Sequence, residues 1–436
     1  MLACGVVSTP ADELPIDPRG PLDAQLEVPG SKSLTNRALV AAALARGRSQ
    51  LHGALESDDT QVMRRALRTL GIAVDDPAGK PWTVEGQSGQ LQEPADTLWM
   101  GGSGTSARFL TAAATLCNGP VSLDGDARMR ERPIGDLAEA LQKLGADLEV
   151  EGPGECPPVT VRGGGLTGGH VEIDARRSSQ FVSAVLLAAP YAQSDVTLHL
   201  ADGILVSRPY VELTLQVMQA FGVKAGWRGD GNALEVAAGQ CYSGCEYHVE
   251  PDASAAVYAF GAAAIAGGSV RIEGVSRDSI QADLGLLPIL ERMGCDVAWD
   301  ATGVRVTGPE GGLRSPGEID MNALPDAAMA LSVVALFADG RTRIGGIGNL
   351  RIKETDRLHA LETEIRRLGA EADAGPDHLE IRPGPLAGAR IETYNDHRMA
   401  MSFALAGLRV PGVVIADPGC VSKTWPDFFS VFGALR

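Results

Sequence analysis

Apolar and polar positions along this chain follow a long-period pattern that recurs six times. In each copy an extended segment reaches a small or polar turn and then enters an Ala-rich apolar run. The copies begin Glu27-Val-Pro-Gly-Ser-Lys-Ser, Trp99-Met-Gly-Gly-Ser-Gly-Thr and Ile173-Asp-Ala-Arg-Arg-Ser-Ser-Gln. They continue with Val249-Glu-Pro-Asp-Ala-Ser, Ile319-Asp-Met-Asn-Ala-Leu-Pro-Asp and Ile391-Glu-Thr-Tyr-Asn-Asp-His. With Ser33, Thr105, Ser179, Ser254, Asp326 and His397 as anchors, the steps are 72, 74, 75, 72 and 71 residues. A second marker keeps the same beat: Gly71, Gly145, Gly222, Gly294 and Gly369 each follow a helical pattern and precede a Val/Ala-rich strand. Glycine there supplies the left-handed cap that other residues adopt only at a cost. Repetition at a fixed period signals one supersecondary unit used many times.

Each unit reads strand–helix–strand–helix–strands over about 70 residues, and the sixth is expected to lack its second helix because the chain ends at Arg436. One such unit buries too little to stand alone, so the pattern predicts two domains of three units each. The expected crossings lie at residues 248–252 and 29–32, giving a first domain of 1–31 with 249–436 and a second of 32–248. Two linkers at one edge would form a hinge.

Composition narrows the class. The 436 residues carry 38 basic and 55 acidic side chains, a net charge of −17, which argues against a polyanion-binding surface. Apolar residues at 44% and charged residues at 21% fit a globular chain. The seven Cys are scattered without Cys-x-x-Cys spacing and read as reduced thiols, and the seven His never fall at metal-ligand spacing, so no metal site is expected. Residues 1–14 hold acids and no basic stretch, which disfavours a signal peptide, and no apolar run is long enough to span a membrane. The expectation is a soluble, cytoplasmic protein that binds neither nucleic acid nor membrane.

Charge placement is more specific than charge total. Helix N-termini carry partial positive charge, so basic residues there are unfavourable unless an anion joins them. Lys32 and Arg37 flank the start of the first apolar run, Arg108 follows Thr105, and Arg398 follows His397. The run from Asn349 to Arg357 is expected to open a helix with apolar face Leu358, Leu361, Ile365 and Leu368, putting Lys353 and Arg357 on one side of its first turns. The recurrence implies a cleft that collects phosphates or carboxylates. The turn Gly101-Gly-Ser-Gly-Thr-Ser-Ala is a weak dinucleotide match with no acidic partner, and no Walker sequence occurs. It reads instead as backbone N–H groups approaching a small anion, backed by Arg108. Ser178, Ser179 and Gln180 fit either N-capping or phosphate binding. Asp252 and Asp326 both stand at cap positions, and Asp252, lacking basic neighbours, is assigned the structural role.

These residues sit in long motifs. Pro29-Gly-Ser-Lys-Ser-Leu-Thr-Asn-Arg-Ala, Arg130-Glu-Arg-Pro-Ile, Ser178-Ser-Gln-Phe and Pro325-Asp-Ala-Ala-Met closely resemble the 5-enolpyruvylshikimate-3-phosphate synthase family. So do Arg351-Ile-Lys-Glu-Thr-Asp-Arg, Tyr394-Asn-Asp-His-Arg-Met-Ala-Met and Asp417-Pro-Gly-Cys-Val-Ser-Lys-Thr-Trp-Pro, the match running from about residue 22 to 429. The resemblance implies an α/β (α+β) fold, a two-domain inside-out α/β barrel with three βαβαββ units per domain. It implies transfer of the enolpyruvyl group of phosphoenolpyruvate to the 5-hydroxyl of shikimate 3-phosphate, with no metal or organic cofactor.

By the same resemblance the catalytic residues are Lys32, Asp326, Glu354 and His397. Glu354 would handle the methylene proton, Asp326 the attacking hydroxyl, Lys32 both proton steps, and His397 a hydrogen bond near the bridging oxygen. Shikimate 3-phosphate would be held by Lys32, Ser33, Arg37, Ser178, Ser179, Gln180, Ser207, Tyr210, Asp326, Asn349 and Lys353. Phosphoenolpyruvate would meet Lys32, Gly104, Thr105, Arg108, Arg132, Gln180, Arg357, Arg398 and Lys423. Members of the family are commonly inhibited by glyphosate beside the Gly104 turn, where glycine is read as leaving open space. One departure stands out: Gly102 occupies the place of a frequent Asn, so that amide contact is absent. The sister family, UDP-N-acetylglucosamine enolpyruvyl transferase, carries a catalytic Cys before its Ala-Arg-Pro; Gly125-Asp-Ala-Arg-Met-Arg-Glu-Arg-Pro has none, and Cys117 reads as core. A non-catalytic six-repeat clamp or scaffold would need basic residues along its helix faces rather than in its turns.

Overall fold

The computed structural model describes residues 12–229 and 231–436. The part of the expected first domain that covers residues 1–11, and most of the stretch read for a signal peptide, lie outside the described residues. The described helices are α1 (Lys32–Leu44), α2 (Asp58–Thr69), α3 (Gly104–Ala114), α4 (Gly135–Lys143), α5 (Ser179–Ala188) and α6 (Pro209–Ala220). They continue as α7 (Ala253–Ala266), α8 (Leu286–Arg292), α9 (Ala327–Val334), α10 (Arg357–Arg367), α11 (His397–Gly407) and α12 (Phe428–Ala434). Two kinds alternate. The Ala-rich odd-numbered helices are apolar all round and therefore sit inside; α3, α9 and α11 are buried throughout. In α1, α5 and α7 the residues that escape burial are Lys32 and Ser33, Gln180, and Ser254, all in the first turn. Even-numbered helices such as α4 and α10 bury one face, with Leu358, Leu361, Ile365 and Leu368 fully covered.

Strands form the outer wall of each half. In the second unit Leu98–Trp99 pairs parallel with Val121–Asp124, which pairs antiparallel with Cys156–Val161, and Leu148–Gly152 completes the sheet. That first, second, fourth, third order recurs in five four-stranded sheets. The glycines read as helix caps all adopt positive φ: Gly71 at 86°, Gly145 at 96°, Gly222 at 84°, Gly294 at 103° and Gly369 at 101°. The sixth unit departs from expectation. It does have a second helix, α12, in the aromatic stretch after Asp427; among the described residues it has no closing pair of strands. Its sheet is three-stranded and finished by Glu13–Ile16 instead.

The leading strands of two units come from distant sequence. Glu246–His248 pairs parallel with Arg46–His52 and leads the first sheet, whereas Leu22–Leu26 pairs parallel with Gly268–Glu273 and leads the fourth. The chain thus passes between halves twice, and the passages touch. Gly30 bridges Pro251, Ser31 N–H donates to the Glu250 carbonyl at 2.8 Å, and Asp252 N–H to the Pro29 carbonyl at 2.8 Å. The apolar interior falls correspondingly into two clusters, one from Leu34 to Val249 and one joining Ile16, Leu22 and Val28 to residues 255–435. Cys117 lies in the former cluster, and the six described cysteines are free thiols.

Candidate active site

The first turns of the inner helices face one another across the seam between halves, around a cleft with two connected lobes. One lobe, about 330 Å³, has Gly104, Arg132, Glu354, Arg357, His397 and Arg398 in its wall. The other, about 450 Å³, is walled by Ser33, Arg37, Ser179, Ser207 and Tyr210. Lys32, Thr105, Gln180, Asp326 and Lys353 border both. Glu354 and Lys353 are not on a helix. Residues 348–352 make a 3-10 turn and α10 begins only at Arg357, so the expected helical alignment of Lys353 with Arg357 does not exist. A bend at residues 353–355 delivers both side chains into the cleft.

The two aspartates at cap positions separate cleanly. Asp252 accepts the Ser254 N–H at 2.8 Å as an N-cap and also takes the Lys32 N–H at 3.2 Å, tying α1 to α7. Asp326 makes no cap bond; its carboxylate bridges Arg357 Nη1 at 3.0 Å and Arg398 Nη2 at 2.9 Å. Burial pushes the Asp326 carboxyl up, but Arg398, Arg357, Lys353 and Lys32 outweigh it and hold it well below the usual carboxylate range. Glu354 follows the same pattern. Burial raises it, while Arg357 (2.9 Å), Arg132 and Lys423 drive it strongly down. Both acids are therefore ionised in the substrate-free cleft. Lys353 is lowered to about 8, chiefly by burial, with Asp326 and Glu354 opposing.

Other expected residues take supporting positions. Arg37 is fully buried, donating to Thr214 Oγ1 (2.7 Å), the Ser33 carbonyl (2.9 Å) and the Tyr210 carbonyl (2.9 Å), and burial lowers it to about 10. Arg108 stays behind the glycine turn, donating to the Gly104 and Pro133 carbonyls; burial and then Arg132 lower it to about 9. Arg132 and Lys423 both donate to the Gly102 carbonyl, at 3.0 and 2.9 Å. Ser178 caps α5 through the Gln180 N–H (3.2 Å) while Ser179 opens into the cleft. Asn349 donates to Ser207 Oγ at 3.2 Å across the seam. His397 is buried, and among the described residues neither ring nitrogen has a hydrogen-bond partner. Burial first, then Arg398, holds its pKa well below the ordinary histidine value, so the ring is neutral and free to take a partner at either nitrogen.

Four residues at the cleft were not anticipated. Asp59 bridges Lys32 at 3.2 Å and Lys423 at 3.3 Å. Asp396 grips Arg357 with both oxygens, at 2.7 and 3.1 Å. Asp283, pushed up to about 6 chiefly by burial, receives Tyr210 Oη at 3.1 Å and Ser254 Oγ at 2.7 Å. Arg128 crosses the seam to the Lys353 carbonyl at 2.9 Å and the Arg351 carbonyl at 3.1 Å. The three aspartates stand at or near helix starts, where an acid ordinarily serves the helix dipole, and Arg128 looks like any surface arginine in sequence.

The chain matches the profile of the family described as EPSP synthase (3-phosphoshikimate 1-carboxyvinyltransferase) over residues 16–432. It is 45% identical over 414 residues to the 3-phosphoshikimate 1-carboxyvinyltransferase of Nostoc punctiforme, covering 94% of this chain and 96% of that one. The chloroplastic 3-phosphoshikimate 1-carboxyvinyltransferase of Brassica napus is 44% identical over 444 residues, covering 98% and 86%. Among solved structures, an EPSP synthase from Acinetobacter baumannii superposes with a TM-score of 0.80 at 27% identity, covering 97% and 98%. The enolpyruvyl transferase NikO from Streptomyces tendae shares the fold, with a TM-score of 0.78 at 19% identity and 98% coverage of both chains.

Proposed function

The chain belongs to the EPSP synthase family, and from that premise we propose how its cleft divides the work. The activity is transfer of the enolpyruvyl group of phosphoenolpyruvate to the 5-hydroxyl of shikimate 3-phosphate, with release of phosphate, in the shikimate pathway of aromatic amino-acid biosynthesis. The described residues 12–31 and 249–436 make one domain, and those of 32–248 the other. The lobe around Ser33, Arg37, Ser179, Ser207 and Tyr210 takes shikimate 3-phosphate, with Ser178 and Asn349 supporting it. The lobe around Gly104, Arg132, Arg357, His397 and Arg398 takes phosphoenolpyruvate, with Arg108 and Lys423 behind it. Arginine suits this lobe because its planar fork binds phosphate and carboxylate bidentately.

The groups that move protons line the same cleft, Asp326 where the lobes meet and Glu354 in the phosphoenolpyruvate lobe. Asp326, held ionised, accepts the proton of the attacking hydroxyl as its oxygen bonds to C2 of phosphoenolpyruvate. Glu354 gives a proton to C3, making a methyl group, and removes one from that methyl as the C2–O bond to phosphate breaks. The free cleft keeps Glu354 ionised. Bound phosphate and carboxylate neutralise Arg357, Arg132 and Lys423, so substrate binding itself raises Glu354 toward the protonated state the first step needs. Lys32 neutralises the oxygens between the two substrates, and the uncharged His397 ring hydrogen-bonds them. The observation that carries this reading is the convergence of cations from both halves on one cleft, with the acid Asp326 at the lobe junction and Glu354 in the wall of the lobe beside it.

The testing experiment is phosphate release from phosphoenolpyruvate, which must depend on shikimate 3-phosphate. Release dependent on UDP-N-acetylglucosamine instead would move the chain to the sister activity. We place the enzyme in the cytoplasm as a monomer; among the described residues no helix is long and apolar enough to cross a membrane. The net charge of −17 disfavours nucleic-acid and anionic-lipid partners.

A further inference from the structure

We propose that His52, His248 and Glu246 form a binding site for a divalent transition-metal ion of the zinc type, at the foot of the crossing between halves. Parallel pairing of Arg46–His52 with Glu246–His248 sets His248 directly opposite His52 and Glu246 opposite Gln50. Side chains two apart on a strand share a face, so the three project together. Their ligand atoms lie within 4.8 Å of one another. The imidazoles stack with centroids 4.4 Å apart and planes 15° from parallel. His52 Nε2 is buried and has no hydrogen-bond partner among the described residues. A buried polar atom without a partner is costly, and a metal ion would satisfy it.

The donor set fixes the class of ion. Two imidazoles and a carboxylate suit zinc, copper or nickel, whereas calcium and magnesium take oxygen ligands. Tetrahedral coordination at about 2.0–2.1 Å per bond needs donors about 3.3 Å apart. Glu246 and His248 are exposed and His52 is half-buried, so side-chain rotation alone can close that gap. The open side leaves room for water as the fourth ligand.

None of the three residues lines the active-site cleft, so the ion would take no part in the transfer chemistry. Its effect would fall on the backbone. Val249 N–H donates to the His52 carbonyl at 2.9 Å, and the chain leaves for the other half immediately beyond. A metal bridging His52 and His248 pins that departure point to the first sheet.

Calorimetric titration of the untagged, chelator-stripped full chain with Zn²⁺ tests the assignment. One equivalent should bind, and His248→Ala should weaken it by at least about 10-fold, the scale on which metal-site partners matter. Glu246→Gln should weaken it less, and Cu²⁺ bound in the same place should show nitrogen couplings in its electron paramagnetic resonance spectrum. Both substitutions are on the surface, and circular dichroism checks that each variant is folded. Absence of binding, or stoichiometric binding that survives His52→Ala/His248→Ala, would overturn the proposal. So would binding unaffected by His248→Ala but abolished by Cys245→Ser, which removes the half-buried free thiol next to Glu246.

Discussion

Glu354 is held down by Arg357, Arg132 and Lys423 and yet, in the mechanism proposed above, must carry a proton. Glu354→Gln keeps its size and hydrogen bonding but cannot shuttle that proton, so kcat should fall by about 10²-fold or more while shikimate 3-phosphate binding stays close to normal. Single-turnover kinetics with a parallel binding titration reads both, and near-normal turnover would remove Glu354 from the chemistry. Lys353 gives a pH signature. Its ammonium titrates at about 8 in the free cleft, whereas a phosphate monoester is already dianionic above about pH 6. Raising the pH therefore removes the lysine charge and leaves the ligand charge, so kcat/KM for shikimate 3-phosphate should decline through about pH 8. In Lys353→Met the same plot should start lower and lose that inflection. At this scale the sequence was readable where a residue defied local helix physics: Lys32, Arg37 and Arg398 are cations at positive helix ends. Asp59 and Asp396 were hidden for the opposite reason. An acid at a helix start satisfies local physics completely, and only the tertiary fold shows that each also holds a cation from another unit, Lys423 for Asp59 and Arg357 for Asp396.

Elements were legible where one short-range rule decided them. The five cap glycines and the apolar inner helices needed no knowledge of neighbours. The bend at residues 353–355 escaped because its residues fit a helix on propensity, and it is the cleft ligands that make the bend useful. The missing strands of the sixth unit escaped because their place is taken by Glu13–Ile16, some 400 residues away. The α3 start shows how a single atom matters at an element's end. Gly104 stands where open space is expected, but a Cβ there would overlap Arg132 Nη2 and lie 2.6 Å from Arg108 Nη1. Gly104→Ala must therefore push the Arg132 guanidinium aside, a strain of about 1–3 kcal/mol if nothing else relaxes. The variant should tolerate glyphosate better than the parent and show a higher KM for phosphoenolpyruvate. Equal inhibition constants for the two proteins would mean that this turn does not face the inhibitor.

At the scale of the whole molecule, the arrangement predicts that anion binding and domain closure are one event. Cations of both halves face the same cavity, so substrate charge removes a repulsion that otherwise opposes approach. Shikimate 3-phosphate should reduce the radius of gyration in solution scattering. Arg128→Ala, which removes two bonds across the seam, should blunt that compaction and raise the KM for phosphoenolpyruvate; an unchanged scattering curve in the parent would remove the hinge. The strand exchange between halves has a further consequence, during synthesis. Leu22–Leu26 emerges early, but its partner Gly268–Glu273 follows about 240 residues later. At roughly 5–20 residues per second, on the order of 10–50 s pass before that pairing can form, while the segment from Arg46 to His248 can already complete its own sheets. An unpaired edge is an invitation to aggregation. The waiting strand, Leu22-Asp-Ala-Gln-Leu, alternates apolar with polar side chains and keeps Asp23 and Gln25 exposed even in the finished sheet. That alternation suits a nascent segment that must stay soluble until its partner is translated.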